Sequence, residues 1–207
     1  MEFIPKYFPD LNEHMLEQLA SLIDQIADWN KKVNLISRKD IDQLEMHHVL
    51  HSLSIAKYIQ FKESSHILDL GTGGGFPGLP LAILFPEARF TLIDARAKKI
   101  KVVNDIIQKL GLKNCSAFHQ RAEESKGHYD FVVSRAVAPV TQLWDWSRNL
   151  IAKKEKNAIP NGLIALKGGD LQGELGKLPK KLYREMEPID SFFQEAHFQE
   201  KYIVYVS

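Results

Sequence analysis

Residues 69–78 form a glycine-rich segment that directly follows a short apolar run, and the combination is typical of a nucleotide-binding turn. The segment reads Asp-Leu-Gly-Thr-Gly-Gly-Gly-Phe-Pro-Gly. Because glycine has no Cβ, a buried strand that ends in glycines can turn sharply and leave its backbone amides bare for a ligand. We therefore predict that Gly71, Gly73 and Gly75 form a loop against which a nucleoside cofactor lies.

Two acidic residues accompany this loop. Asp69 stands two positions before the first glycine, at the predicted end of the strand, where it is placed to meet a cationic group. Asp94 ends the apolar run 90–93 and is placed to accept hydrogen bonds from two ribose hydroxyls. The alternative for Asp94 is that it only caps the helix that follows.

The glycine pattern is compatible with more than one cofactor. Residues 73–78 satisfy Gly-x-Gly-x-x-Gly, the dinucleotide fingerprint, whose helix must hold a pyrophosphate in its first turn. Here Pro77 and Pro80 occupy that turn. The register that follows the strand directly, Asp-x-Gly-x-Gly-x-Gly, favours S-adenosylmethionine (SAM). A dinucleotide enzyme and a purely structural glycine turn remain as alternatives.

Alternating strand and helix patterns from residue 65 onwards predict the scaffold that positions these residues. We expect strands at 67–70, 90–94, 116–119, 131–134 and 163–167, with helices at 79–84, 98–110 and 140–151. Such alternation implies a mostly parallel sheet covered on both faces. Two β-like runs at 192–196 and 202–206 lack a helix between them, and they predict a C-terminal antiparallel hairpin. This α/β pattern suits the Rossmann-like class I SAM-dependent methyltransferase fold better than a plain dinucleotide sheet.

The first third of the chain is predicted to be helical. Apolar residues recur at helical spacing from Leu11 to Trp29, after Asp10 and Glu13 in capping-box spacing, and a second helix is expected from about residue 40 to 58. We predict that residues 1–64 form a helical extension packed on a SAM-binding core of residues 65–207.

Composition limits the class of protein. The chain has 207 residues, which suits one domain with an extension, and a single cysteine, which excludes an internal disulfide. No run approaches the 18 apolar residues typical of a membrane span, so we expect a cytoplasmic protein that does not contact the membrane. We also expect a monomer.

Six short motifs along nearly the whole chain are more specific than the glycines alone. They lie at residues 29–35, 67–80, 90–94, 121–124, 129–136 and 165–168. The most specific are Phe-Pro-Gly-Leu-Pro, which continues the glycine loop, and Ser-Arg-Ala at 134–136. With these motifs the chain resembles the bacterial guanine-N7 methyltransferases of small-subunit ribosomal RNA, historically called the glucose-inhibited division protein B family.

The resemblance implies SAM as cofactor and a guanine of 16S ribosomal RNA, free or in the small ribosomal subunit, as methyl acceptor. It also implies that the SAM site is lined by Gly71, Phe76, Ala122, Glu123 and Arg135. One position departs from the family pattern. The second helix commonly carries His-x-x-Asp-Ser-Leu, and this chain has His51 in place of the acid.

Residues after the predicted fourth strand narrow the reaction. Methylation of an adenine amino group usually uses an Asp/Asn-Pro-Pro-aromatic tetrad there, whereas this chain has Ser-Arg-Ala-Val at 134–137. Carbon-5 methylation of pyrimidines needs a cysteine, and Cys115 lies in the wrong place. Guanine N7 needs neither, because its lone pair is free at neutral pH and no general base is required. The catalytic residues are therefore unknown at this stage.

Two basic residues are candidates for positioning the substrate. Arg135 is a candidate partner for the SAM carboxylate, an RNA phosphate or guanine O6, with a surface salt bridge as the alternative. Lys167, at the end of the next strand, is a candidate phosphate or base contact, with a solvated lysine as the alternative.

Other polar residues give weaker signals. Lys31, Lys32 and Arg38 lie close to Trp29 and are candidate RNA contacts, like Lys167. The histidines at 47, 48 and 51 suggest a metal, but no carboxylate or cysteine completes a ligand set at useful spacing, so we expect none. Two rivals to an RNA methyltransferase remain. One is a small-molecule methyltransferase or NAD-linked enzyme, and the other is a non-catalytic ribosome-assembly factor.

Overall fold

A seven-stranded sheet forms the centre of the protein, which we describe from a computed structural model. The structure describes the backbone of residues 1–207 and every side chain except those of residues 38 and 39. The strands are β1 His66–Leu70, β2 Arg89–Asp94, β3 Cys115–His119, β4 Phe131–Arg135, β5 Gly162–Gly168, β6 Arg184–Pro188 and β7 Lys201–Val206. Their spatial order is β3-β2-β1-β4-β5-β7-β6.

The first five strands are parallel, and β7 lies antiparallel between β5 and β6. This arrangement confirms the Rossmann-like fold with an antiparallel C-terminal hairpin. Parallel strands require helices on both faces, and these are α1 Phe3–Tyr7, α2 Glu13–Asn30, α3 His51–Tyr58, α4 Gly78–Leu84, α5 Ala97–Lys109, α6 Val140–Ser147 and α7 Gln172–Leu175. Within the described part of the chain, no helix is long and apolar enough to cross a bilayer.

The sheet separates two hydrophobic clusters. Ile67 belongs to the larger cluster and its neighbour Leu68 to the smaller, because successive strand residues point to opposite faces. Leu19, Leu22 and Ile26 of α2 are fully buried in the larger cluster. The N-terminal helices therefore share the core of the sheet domain, and the boundary at residue 64 stays a prediction.

One predicted strand is wrong. Residues 192–196 form no strand, because Phe193 is buried in the core after a short 3₁₀ turn and packs on Tyr7 at 4.8 Å between ring centroids. The partner of β7 is instead β6, Arg184–Pro188. Its residues are half-buried or exposed in no regular alternation, so the sequence carries no strand pattern there.

The predicted second helix is divided into three pieces. A 3₁₀ segment spans Arg38–Gln43, a π-helical turn spans Glu45–Leu50, and α3 follows. Two helix ends also differ from expectation. Asn12, not Asp10, caps α2 through a 2.9 Å bond from the Met15 amide to its Oδ1. The helix α6 ends at Ser147, because Ile151 pairs with Tyr129 in a β-bridge.

Candidate functional site

A cavity of about 1050 Å³ opens at the carboxyl ends of the parallel strands. One side, which we call the glycine wall, is formed by residues 71–74 with Asp94, Ala122 and Glu123. The other side, which we call the histidine wall, is formed by Asp40, His47, His48, His51 and His197. The carboxyl edge is where open α/β sheets bind their ligands.

The glycine loop has the geometry that its sequence predicts. Gly71, Gly73 and Gly75 have φ values of 75°, 59° and 97°, a region that other residues avoid. A Cβ on Gly71 would lie 2.5 Å from Val137 Cγ2, so the loop also needs the missing side chain for space. Gly71 and Gly73 line the cavity, whereas Gly75 packs behind the loop against Leu79.

Asp69 lies beneath the loop and does not line the cavity. Its Oδ2 accepts hydrogen bonds from Thr72 Oγ1 at 2.5 Å and from the Gly78 amide at 2.8 Å. Both donors are neutral, so the expected cationic group is not a hydrogen-bond partner of Asp69, but the charge of Arg135 acts on this carboxyl through space. Burial raises the pKa of this carboxyl to about 7. Asp69 shapes the loop from behind.

Asp94 faces the cavity from the end of β2. Its Oδ2 accepts a hydrogen bond from the Gly73 amide at 2.9 Å, and its Oδ1 accepts one from the Arg96 amide at 2.8 Å. The alternative role as a helix cap is not what the structure shows, because α5 starts at Ala97 and its N-cap, Arg96, makes no side-chain cap bond. Asp94 joins the strand end to the glycine loop.

Ala122 and Glu123 complete the glycine wall from a different element. They belong to a 3₁₀ turn, Ala122–Glu124, that follows β3 at the same edge of the sheet. Glu123 is exposed, and both residues line the cavity. The structure thus brings six of the predicted cofactor residues to the cavity surface together with Arg135, and places Asp69 and Gly75 behind it.

Arg135 ends β4 and contacts both the ring of Phe76 and the histidine wall. Its guanidinium carbon lies 4.9 Å from the ring centroid of Phe76, a cation–π distance. Its Nη2 bonds His48 Nδ1 at 2.8 Å, and its Nη1 donates to the carbonyls of His47 and His48 at 3.3 and 3.4 Å. The alternative of a surface salt bridge is therefore wrong. Burial lowers the pKa of Arg135 to about 10, which leaves it charged at neutral pH.

Three imidazoles of the histidine wall, those of His48, His51 and His197, favour the neutral form. Because Arg135 donates to Nδ1 of His48, the proton of that ring is on Nε2, and burial lowers its pKa to about 3. His47 stacks on His197 at 3.7 Å between centroids, and burial lowers the pKa of His197 to about 4. His51, at the position of the family's acid, is buried edge-on against Phe198, and its pKa also lies well below the usual range.

Asp40 and His197 are members of this wall that the sequence analysis missed. Asp40 Oδ1 lies 3.0 Å from His47 Nδ1, which orients that ring, and His197 comes from the connection between β6 and β7. No sequence signal links positions so far apart. Among the described side chains, no group of histidine, cysteine and acidic residues is arranged to hold a metal ion.

Lys167 is neither solvated nor free. Its Nζ lies 3.1 Å from Glu174 Oε1 and donates to the carbonyl of Ala138 at 3.0 Å, and its side chain is only 14% exposed. The predicted alternative of a solvated lysine is therefore wrong. Glu174, in the short helix α7, was also missed, because a single acid after a loop carries no motif.

Two other candidate RNA contacts, Lys31 and Lys32, lie outside the cavity. Lys31 pairs with Asp28 at 2.9 Å on the exposed end of α2, and Lys32 lies 5.4 Å from the ring centroid of Trp29. The Arg38 side chain lies outside the described residues. Nearby, Asn30 is buried, and its Oδ1 accepts hydrogen bonds from the amides of Leu35 at 2.8 Å and Ile36 at 3.0 Å. Asn30 thereby holds the segment that supplies Leu35 and Ile36 to the cavity.

Comparisons with solved structures support the fold. A SAM-dependent methyltransferase from Aquifex aeolicus matches with a TM-score of 0.57 and 14% identity, over 83% of this chain and 98% of that one. A structure of MtNAS in complex with S-adenosylmethionine matches with a TM-score of 0.56 and 11% identity, over 94% of this chain and 71% of that one. These likenesses confirm the fold class.

Comparisons of sequence identify the family. The family described as GidB, rRNA small subunit methyltransferase G, matches residues 15–201. The protein named ribosomal RNA small subunit methyltransferase G from Bacteroides fragilis is 51% identical over 207 residues, which cover 100% of both chains. The protein of the same name from Flavobacterium johnsoniae is 48% identical over 206 residues, covering 100% of this chain and 97% of its own. The chain therefore belongs to the GidB family of rRNA small subunit methyltransferases G.

Proposed function

We propose that this enzyme transfers the methyl group of SAM to N7 of a guanine in 16S ribosomal RNA without a general base. The observation that carries the proposal is the end of β4. Ser134 Oγ donates to the Leu70 carbonyl at 2.8 Å, and Arg135 is bound to the histidine wall. The polar side chains at this strand end are thus engaged in structure, and none is placed to remove a proton from an acceptor.

The glycine wall is the proposed cofactor site. Gly71 and Gly73 provide a surface without protruding side chains, and Asp94, Ala122 and Glu123 border it. Phe76 also lines the cavity. Asp94 is the proposed partner of the ribose hydroxyls, since its carboxylate lies at the cavity surface. Asp69 and Gly75 support this site through the loop.

The size of the cavity favours two ligands. A volume of about 1050 Å³ is at the upper end of the roughly 300–1000 Å³ usual for small-molecule sites. The glycine wall accounts for the cofactor, and residues 136–139 and the histidine wall also line the cavity. We assign the remaining space to that part of the lining. A guanine extruded from RNA is the proposed occupant of that space.

The protein's contribution to the reaction is orientation. SAM supplies an electrophilic methyl group on a sulfonium, and guanine N7 carries a lone pair that is unprotonated at neutral pH. Holding reactants in line can lower a barrier by roughly 7–11 kcal/mol. Because positive charge moves to the purine, an arginine against the accepting ring would oppose the reaction. The hydrogen bonds of Arg135 to the histidine wall keep its charge engaged elsewhere.

The buried cysteine supports the same chemistry. Cys115 lies on β3 and is 6% exposed, and burial raises the pKa of its thiol far above the usual range. A thiol in this state is a poor nucleophile, so carbon-5 methylation through a covalent adduct is not proposed. We expect Cys115→Ala to retain full methyl transfer.

The experiment uses labelled SAM and three acceptors: small subunits that lack the modification, free ribosomal RNA, and a panel of small molecules. Labelled RNA is then cleaved at N7-methylguanosine to map the position. We expect label in small-subunit RNA at one guanine N7. Label at another atom would refute the proposed acceptor, and label only in small molecules would refute the RNA substrate. The comparison of subunits with free RNA identifies the form of the substrate.

A further inference from the structure

The loop between β4 and α6, residues 136–139, borders both proposed ligands, and we call it the acceptor loop. Ala136 has φ of 53°, which is unusual for a residue with a Cβ. Val137 is 41% exposed, and its side chain covers Gly71, where a Cβ would lie 2.5 Å from Val137 Cγ2. A shift of this loop would therefore change the cofactor wall and the acceptor space together.

An ion pair lies against this loop from the side of β5. Lys167 Nζ lies 3.1 Å from Glu174 Oε1. The same lysine donates to the carbonyl of Ala138 at 3.0 Å, and the same carboxylate oxygen accepts from the amide of Val140. The contacted residues, Ala138 and Val140, lie on either side of Pro139. The ion pair therefore fixes the backbone before and after this proline.

Both side chains of the ion pair are largely shielded from solvent. The side chains of Lys167 and Glu174 are 14% and 20% exposed. A phosphate that approached Lys167 would meet the carboxylate of Glu174 and would have to displace it. These contacts do not favour a direct role of Lys167 in RNA binding.

We infer that Lys167 and Glu174 are positioning residues that hold the acceptor loop in the conformation that methyl transfer requires. The inference rests on the proposed placement of SAM along the glycine wall, but not on which guanine atom accepts the methyl group. A positioning pair and a phosphate contact make opposite predictions for the removal of Glu174. Loss of positioning lowers the rate, whereas release of a phosphate-binding lysine strengthens RNA binding.

The test compares five variants with the wild-type enzyme on small-subunit ribosomal RNA. Lys167→Met and Glu174→Ala each remove one partner of the ion pair, and the double variant removes both. Lys167→Arg keeps the positive charge and the hydrogen-bond donors. Asp145→Ala is the matched control, because Asp145 is an exposed acid on α6 whose ion pair with Arg148 is long, at 3.9 Å. The measurements are kcat at saturating SAM and RNA, the Kd for SAM, the salt dependence of RNA binding, and Tm.

We expect Lys167→Met and Glu174→Ala to lower kcat at least 10-fold each, and the double variant to be no slower than the slower single variant, since residues that act as a unit are not additive. Lys167→Arg should keep kcat within about 3-fold, and Asp145→Ala should match the wild type. The slope of log affinity for RNA against log salt should be unchanged in Lys167→Met.

Each of the following results would overturn the inference. One is a salt slope that falls by about 1 in Lys167→Met with kcat intact, which identifies a phosphate contact. Another is tighter RNA binding by Glu174→Ala with kcat intact. The third is additive losses in the double variant. If the wild-type enzyme methylates no RNA, the proposed function itself fails, and an unchanged kcat in active variants refutes only the positioning role.

Discussion

The two walls of the cavity are built in different ways. Four of the seven residues of the glycine wall are consecutive, 71–74, and their backbone conformation is set locally by glycines with positive φ. The histidine wall is assembled from Asp40, the π-helical turn, the start of α3 and His197. These parts are separated by up to 157 positions and meet only through packing. A locally encoded wall can be recognised in the sequence, whereas an assembled wall depends on the complete fold.

The walls also differ in how they respond to pH. Burial raises the pKa of Asp69, behind the glycine wall, and lowers the pKa values of His48 and His197 in the histidine wall. In both cases the fold favours the neutral form, because charge is costly in a buried site. The glycine wall therefore loses stability as pH rises, and the histidine wall loses it as pH falls.

The largest expected effect is that of Asp69→Asn on the loss of folding stability as pH rises. The pKa of Asp69 rises from 3.8 to about 7 on folding, so its contribution to stability is complete below pH 4 and is lost as pH rises through 7. A shift of this size corresponds to up to about 4 kcal/mol. Asparagine keeps an acceptor for Thr72 and Gly78 but does not ionise. Urea unfolding from pH 4 to 8 should show a flatter profile for the variant, and parallel profiles would contradict the assignment.

Gly71→Ala tests how far the glycine wall depends on its local geometry. The added Cβ meets Val137 at 2.5 Å and φ is 75°, so we expect the affinity for SAM to fall at least 100-fold by calorimetry. The control is Gly111→Ala, which has φ of 66° but nothing within 4 Å of the new Cβ. Equal SAM binding by both variants would show that the contact with Val137 is unimportant.

Asp94→Ala removes the proposed ribose contact at the glycine wall. A hydrogen bond to a charged group contributes roughly 1.5–3 kcal/mol, so the Kd for SAM should rise about 10- to 100-fold. Asp24→Ala, which removes an exposed acid on α2, is the control for charge. An Asp94 variant that binds SAM as tightly as the wild type would remove this residue from the proposed site.

His48→Gln tests whether the histidine wall causes the loss of folding stability at acidic pH, which we call the acid limb of the stability profile. A histidine whose pKa is about 3 when folded and 6.5 when unfolded is protonated preferentially in the unfolded chain, so stability falls as pH decreases below 6.5. One proton corresponds to about 1.4 kcal/mol per pH unit, and we expect a difference of about 1 kcal/mol between pH 6 and 5. Glutamine does not titrate and should flatten this limb in unfolding experiments, while an unchanged acid limb would assign it elsewhere.

Lys31→Ala has the smallest expected effect, since it lies outside both walls. Its ion pair with Asp28 is exposed, so stability should change by less than about 0.5 kcal/mol. If Lys31 contacts an RNA phosphate, the salt slope of RNA binding should fall by about 1. An unchanged slope would limit RNA recognition to the neighbourhood of the cavity.

Elements encoded by a local run of residues were predicted accurately from the sequence, whereas elements that depend on tertiary packing were not. Strands β1, β2 and β4 begin or end within one residue of their predicted bounds, because their apolar runs are fully buried. The strand β6 was missed, since none of its five residues is fully buried and this edge strand has no apolar alternation. The π-helical turn was not distinguishable from an α-helix, as both bury Val49 and Leu50. Glu174 and His197 were missed because only tertiary packing brings them to the cavity.

Asn30 links the N-terminal helices to the cavity, so mutations far from the glycine loop should affect the enzyme's function. It is 8% exposed, lies at the end of α2 and holds the amides of two cavity residues, Leu35 and Ile36, through one oxygen. Replacement by alanine would leave both amides without their acceptor, and burying an unpaired polar group is costly. A screen for loss of RNA methylation should therefore recover substitutions at Asn30, more than forty positions before the second glycine of the loop.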